Sequence, residues 1–166
     1  GCKWAFTTSH AGNWHPITWM SHMLDCEFFG LKPAGHHSTN VLIHALNSIL
    51  VYLLFHISTK RRNLSFWTSV FFALHPLRVE SVAWAAERKD VLYTFFFLLA
   101  FLQYIKYVLS EKKPAMNYSL ALVFFLLSIL SKGQAVVLPL VLLLTDYWFD
   151  RKLDKKVILE KIPFFV

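Results

Sequence analysis

The chain has 166 residues, of which 56% are hydrophobic and 16% charged, and its mean hydropathy is +0.46. Water-soluble domains carry about 25% charged residues, so this balance excludes an ordinary soluble domain and predicts an integral membrane protein. The formal net charge is +7, but the basic residues fall in short gaps between apolar runs, a pattern of membrane topology rather than of a nucleic-acid surface.

Residues 1–39 are a polar-aromatic outer loop. Within it Ile17, Met20, Leu24 and Phe28 recur at helical spacing, with His22 and Asp25 between them. This predicts an interfacial helix lying along the membrane, anchored by Trp14 and Trp19. Gly30 should stop it, and Pro33 with Gly35 should make a turn. Residues 40–166 read as a transmembrane helical bundle, part of one larger membrane domain. Val41–Ile57 is the first span, with Asn40 as its cap. His44, Asn47 and Ser48 interrupt it and are expected to face neighbouring helices rather than lipid. After KRR (60–62), Leu64–Leu74 is apolar but shorter than the ~20 residues of a perpendicular span. It must borrow length from the segment that follows or lie in a thinned region. Val91–Leu109 is the second clear span. Beyond SEKKP (110–114), two more follow, Tyr118–Leu130 and Val136–Phe149, separated by SKGQ (131–134). The stretch DRKLDKK (150–156) is again basic.

The three basic gaps belong on the inner side by the positive-inside rule. The preamble, HPLRVESVAWAAERKD (75–90) and SKGQ then share the outer side. The fold class predicted is all-α: a polytopic transmembrane helical bundle with amphipathic juxtamembrane helices on its outer face. The chain starts with Gly and ends on a fresh apolar run, KIPFFV, and is expected to be a segment of a longer protein. Cys2 and Cys26 leave open whether one disulfide forms.

Residues 75–90 are predicted to be helical after Pro76. Val79, Val82, Ala83 and Ala86 would rest on the membrane, with Glu80, Trp84, Glu87 and Arg88 on the other face. Such a helix is either merely solvated, through pairs such as Glu80–Arg88 and Glu87–Arg78, or the charged wall of a site. Lys132 either snorkels from a helix end or reaches a phosphate beside the next helix start. His15, His22 and Asp25 at i, i+7 and i+10 admit a zinc site, although that spacing is far less specific than HExxH. The preferred reading of the histidines is interfacial or sugar-binding, with NWHP (13–16) presenting Trp14 to a sugar ring.

The blocks HAGNWHPITWMSHMLDCEFFGLKPAGHH, ALHPLRVESVAWAAERKDVL and LSKGQAVVLPLVLLLTDYW, in this order, resemble the membrane region of the transmembrane and tetratricopeptide-repeat proteins. These are similar to protein O-mannosyltransferases of the C-type (GT-C) glycosyltransferase fold. The resemblance covers nearly the whole chain and implies transfer of a sugar, mannose at family level, from a polyprenyl-phosphate donor to a protein or glycan acceptor. The family's acidic pair is expected upstream of these residues, and Asp25 does not match its motif. What carries over is His75, Pro76, Glu80, Arg88, Asp90 and Lys132. The roles implied are support for the catalytic base from Glu80 and Asp90, and donor-phosphate binding by Arg88, Lys132 and Arg78. Asn13, Trp14, His15 and His75 would contact substrate or sugar. No metal or other cofactor is required, because protein cations can neutralise one phosphate. The wording of the first block looks bacterial, which places residues 1–39, 75–90 and 131–134 on the periplasmic side of an inner membrane. The alternative is a non-catalytic membrane platform for a tetratricopeptide-repeat region. A transporter is disfavoured, because the spans from Val91 and Val136 are almost purely apolar in their middles.

Overall fold

A computed structural model describes residues 1–8, 14–109, 114–152 and 154–165, and every regular element among them is helical. Asn13, His10 and the EKK residues 111–113 lie outside the described residues, as does the side chain of Cys2. Cys26 is a free, exposed thiol.

Helix α1 (Cys2–Thr7) precedes α2 (Pro16–Phe29), which begins on a proline and ends at Gly30 with φ 62°. A left-handed residue after the last turn favours glycine, as the sequence indicates. The expected turn at Pro33 and Gly35 is instead the first turn of α3 (Pro33–Thr59). Proline at the first helical position loses no hydrogen bond and has a helical φ already, so the helix starts there rather than at Asn40. Asn40 is therefore no cap; it is fully buried inside α3. Gly35 permits the tight return. A Cβ there would lie 2.4 Å from Cγ of Phe29.

Among the described residues, two stretches are long and apolar enough to cross a membrane: α3, and Ala85–Leu109, which contains α6 (Arg88–Leu109). Their 27 and 25 residues correspond to roughly 40 and 37 Å against a hydrocarbon core of about 30 Å. Between them α4 (Arg62–Leu74) has 13 residues, about 20 Å, and stops at an extended His75. Helix α7 (Pro114–Ser131) and the stretch Gly133–Trp148, which contains α8 (Leu138–Trp148), are apolar but shorter. Leu42, Ile49, Phe66, Phe71, Leu126 and Leu144 are exposed on these helices. That much outward apolar surface suits lipid rather than water.

Helix α3 runs alongside α6, with Leu50 and Leu54 packed against Leu102 and Ile105. Helix α7 returns against α6, where Ser128 Oγ donates to Tyr93 O at 2.8 Å and the rings of Tyr107 and Tyr118 lie 5.4 Å apart. Ala100 and Ala121 are fully buried in the core that α6 and α7 share with Leu138, Leu142 and Phe164. The polar residues of α3 face helices as expected. His44 Nε2 lies 3.0 Å from Ala73 O at the end of α4, and Asn47 Nδ2 donates to Val91 O at 2.9 Å. Ser48 departs from this and bonds back to His44 O of its own helix. Helix-end carbonyls lack intrahelical partners, so a side-chain donor at Ala73 offsets a real desolvation cost.

Residues 75–90 do not form the single helix that periodicity predicts. The chain makes a 3-10 turn at Pro76–Arg78, a short α5 (Val79–Ala83), an extended Trp84 (φ −89°, ψ 113°) and a second 3-10 turn, Ala85–Glu87. The break has a tertiary cause. Asn40 Nδ2 takes the Trp84 carbonyl at 3.2 Å, and the next turn is anchored through Arg88.

At the other end of the helices the basic tail folds back. Tyr104 OH donates to Asp146 at 2.7 Å, and Lys161 Nζ sits 2.6 Å from the same carboxylate, all three side chains being buried. Arg151 reaches Glu160 at 2.8 Å across α9 (Lys155–Leu159).

Gly35→Ala should lower the thermal unfolding midpoint in detergent by an amount equivalent to about 1–3 kcal/mol, because Phe29 must shift. Gly133→Ala, with open space at its Cβ, should leave the midpoint nearly unchanged.

Candidate functional site

Three stretches far apart in sequence meet at the end of the helices where α3 and α6 begin. Thr18 Oγ1 on α2 donates to Ser131 O at 3.0 Å, which satisfies a terminal carbonyl of α7 and brings the preamble against SKGQ. Lys132 is extended (φ −162°, ψ 129°) and its Nζ forms an ion pair with Asp90 Oδ1. Asp90 lies in the first turn of α6, where the helix dipole favours a carboxylate. Its second oxygen accepts from Ser81 Oγ at 3.3 Å. Lys132 Nζ also stands 5.7 Å from the ring centre of Tyr93, and Lys89 pairs with Glu87 at 3.0 Å.

His15 completes this group. Its pKa is held below the ordinary imidazole value first by burial, then by the charges of Lys89 and Lys132, with a backbone hydrogen bond at Trp14 and the Asp90 carboxylate opposing. The neutral ring is thereby favoured, and its buried Nδ1 has no side-chain hydrogen-bond partner among the described residues. Beside it Trp14 anchors its indole N–H on Phe6 O at 3.2 Å and leaves its ring exposed. Two ammonium groups, a carboxylate, a neutral imidazole and an open indole can together hold a phosphate and hydrogen-bond a hydroxyl.

Arg88 departs furthest from expectation. Assigned to a donor phosphate on the resemblance, it is fully buried and bound to protein groups. Nε donates to Asn40 Oδ1 at 2.8 Å, Nη1 to Ser21 O at 3.2 Å and Nη2 to His36 O at 2.7 Å, while Nη2 meets Asp25 Oδ2 at 2.5 Å. Thr39 Oγ1 donates to the other Asp25 oxygen at 2.9 Å, and His36 Nδ1 is 3.3 Å from the first. Arg88 thus fastens α2, α3 and α6 together behind the Lys132–Asp90 pair. The surface pairs Glu80–Arg88 and Glu87–Arg78 do not form. The zinc reading of His15, His22 and Asp25 loses its carboxylate to Arg88, and among the described residues no three His, Cys, Asp or Glu side chains converge as a metal set.

The remaining residues selected by sequence stand elsewhere. Glu80 is exposed. Arg78 lies with its guanidinium 4.9 Å above the Phe72 ring, and His75 caps the following 3-10 turn through Nδ1, which accepts from Leu77 N–H at 3.3 Å. Sequence reasoning did not select Lys89, Asp25, His36 or Asn40 for the site. A signal for Asp25 was a carboxylate among the apolar residues of an amphipathic helix, which needs a partner when buried.

Comparison with known proteins shows that the chain is similar to sequences named as protein O-mannosyl-transferases. It is 39% identical over 101 residues to mouse "Protein O-mannosyl-transferase TMTC1", a match covering 60% of this chain and 11% of the relative. It is 31% identical over 165 residues to human "Protein O-mannosyl-transferase TMTC2", covering 96% and 20%. Human "Protein O-mannosyl-transferase TMTC4" is 30% identical over 133 residues, covering 72% and 18%. The chain spans about a tenth to a fifth of the length of these curated relatives. They are animal proteins, in contrast to the bacterial wording read in the first block. No family model matches the chain, and no solved structure matches it.

Arg88→Ala leaves a buried Asp25 without its counter-charge and should cost about 3–5 kcal/mol, read as loss of cooperative unfolding or a large fall in midpoint. His22 offers a pH test. Burial first, then Arg88 and His36, pushes its pKa down to about 4, with Asp25 opposing. The folded state therefore binds this proton less readily than the unfolded chain. The stability this provides is complete above about pH 6.5 and is lost as pH falls towards 4. His22→Gln should flatten the fall of the unfolding midpoint across that window.

Proposed function

We propose that this chain forms part of a membrane glycosyltransferase, a polytopic helical bundle of the C-type fold. In this reading a sugar, mannose in the simplest case, passes from a polyprenyl-phosphate donor to a hydroxyl of a protein acceptor on the outer or lumenal side. The observation that carries the reading is the convergence of residues 14–16, RKD (88–90) and SKGQ (131–134) on one cluster: His15, Lys89, Asp90 and Lys132. The names of the relatives support the same class of chemistry.

The physics of the transfer suits these groups. As the acceptor oxygen attacks the anomeric carbon, the bond to the phosphate oxygen breaks and negative charge gathers on the departing lipid phosphate. Lys132 and Lys89 stabilise that charge as point cations, and this is worth more in a site largely closed to water. Asp90 holds Lys132 in place and gives it up to the phosphate when donor binds. His15 hydrogen-bonds a sugar hydroxyl through a ring nitrogen, and Trp14 lies under the ring. Arg88 acts through position, by fixing α2 and α3 against the first turn of α6 that carries Lys89 and Asp90. The base that takes the acceptor's proton is assigned to the longer protein, outside these residues. The charges already present make a metal unnecessary in this scheme.

The test is polyprenyl-phosphate-sugar turnover by the full-length protein. Lys132→Ala should lower the rate about a hundredfold, the scale of removing one preorganised charge-stabilising group, and turnover should persist in a chelator. Wild-type rates in Lys132→Ala, Asp90→Asn and Lys89→Ala together would sink the site. A wild-type protein that folds, carries its acidic loop and transfers nothing would favour the platform role.

A further inference from the structure

We propose that the open cavity between α3, α4 and α5 binds the phosphate of a membrane glycerophospholipid, at a site separate from the Lys132–Asp90 cluster. The cavity measures about 320 Å³ and is lined by His37, His44, His75 and Arg78, with Val41 and Val82 among its apolar walls. Neither it nor the adjoining cavity described below has a carboxylate in its lining.

Two groups give the cavity its preference. The Arg78 guanidinium rests 4.9 Å over the Phe72 ring and has no hydrogen-bonding or ion-pairing partner among the described residues. A planar cation without a counter-charge, beside a cavity, suits a phosphate that can take two of its donors. His75 supplies the second group. Its Nδ1 accepts the Leu77 N–H at 3.3 Å, which places the ring proton on Nε2 and leaves that N–H to a ligand. His44 is differently engaged, with Nε2 on the Ala73 carbonyl, and shapes the wall.

The surroundings favour a lipid over a free anion. A second cavity of about 480 Å³ adjoins the first and shares His75 and Arg78, and it runs back along α4 past Phe71 to Thr68. From His75 to Thr68 is about two helical turns, roughly 10 Å along the helix axis. Beside it Phe71, Leu74 and Leu77 are 70%, 77% and 81% exposed. A phosphate at Arg78 and an acyl chain laid over these side chains would satisfy the lone cation and cover the apolar surface in one binding event.

The proposal does not rest on the transferase reading, and a binding measurement without turnover separates the two. The full-length protein in neutral detergent is titrated with phosphatidic acid, and with diacylglycerol of the same chains, and adducts are counted by native mass spectrometry. Phosphatidic acid should bind about tenfold better than diacylglycerol, the effect of one or two charge-assisted hydrogen bonds. Arg78→Gln should erase that preference and Arg78→Lys should keep most of it, while both retain the wild-type unfolding midpoint. Equal binding of the two lipids, or a preference that survives Arg78→Gln, would overturn the site. Displacement of the lipid by inorganic phosphate at equal concentration would overturn the assignment to a lipid. Polyprenyl phosphate binding there ten times more tightly than phosphatidic acid would overturn it too, since the cavity would then be the donor's own.

Discussion

The buried pairing of Arg88 with Asp25 is the interaction on which the arrangement of this end of the molecule depends. A guanidinium at the first position of a helix meets the positive end of the helix dipole, and it is also removed from water. Both effects oppose it. What offsets them is a dense set of acceptors: the Asp25 carboxylate, the Asn40 side-chain oxygen and the carbonyls of Ser21 and His36. Those acceptors come from α2 and α3, so α6 cannot begin at Arg88 unless both helices are in place. The clamp thereby fixes where Lys89 and Asp90, the next two residues, can lie.

Around that anchor, polar side chains repeatedly take carbonyls at helix ends and breaks. Thr18 serves Ser131, His44 serves Ala73 and Asn40 serves Trp84. In a chain with this much apolar surface, water is not at hand for such groups, and each unsatisfied carbonyl would be costly. These residues therefore do two things at once. They make short helices tolerable in a membrane setting, and they hold distant segments in register. The Asp146–Tyr104–Lys161 network plays the corresponding part at the opposite end, tying the basic tail to α6 and α8.

The layout separates function from support. Lys132, Asp90, Lys89 and His15 form a group with partly accessible cations and a neutral imidazole, whereas Arg88 stands behind them with its side chain sealed. Arg78 and His75, on the far side of the break at Trp84, open on a different cavity. A single sequence block, HPLRVESVAWAAERKD, thus contributes to two sites and a clamp, because the break turns its two halves to different neighbours.

Much of this was legible in the sequence. Apolar runs, basic gaps and the Gly30 stop located α2, α4 and α6 to within a few residues, since helix periodicity and chain-terminating residues act locally, whereas α3 begins at Pro33, eight residues before the expected start of its apolar run. The meeting of Asp90, Lys132 and His15 was foreseeable only as a shared outer side and a shared resemblance. Periodicity failed over residues 75–90, where it predicts one amphipathic helix and surface ion pairs. The competing forces there are non-local: Asn40 claims the Trp84 carbonyl and Asp25 claims Arg88, and neither claim leaves a trace in the spacing of 75–90 itself. By itself, then, the sequence determined a membrane-suited helical chain and which polar residues need partners, because hydrophobicity and backbone capping are properties of short segments. Only the tertiary structure decided which partner each one takes, because a buried charge is satisfied by whatever the packing of other helices brings within reach.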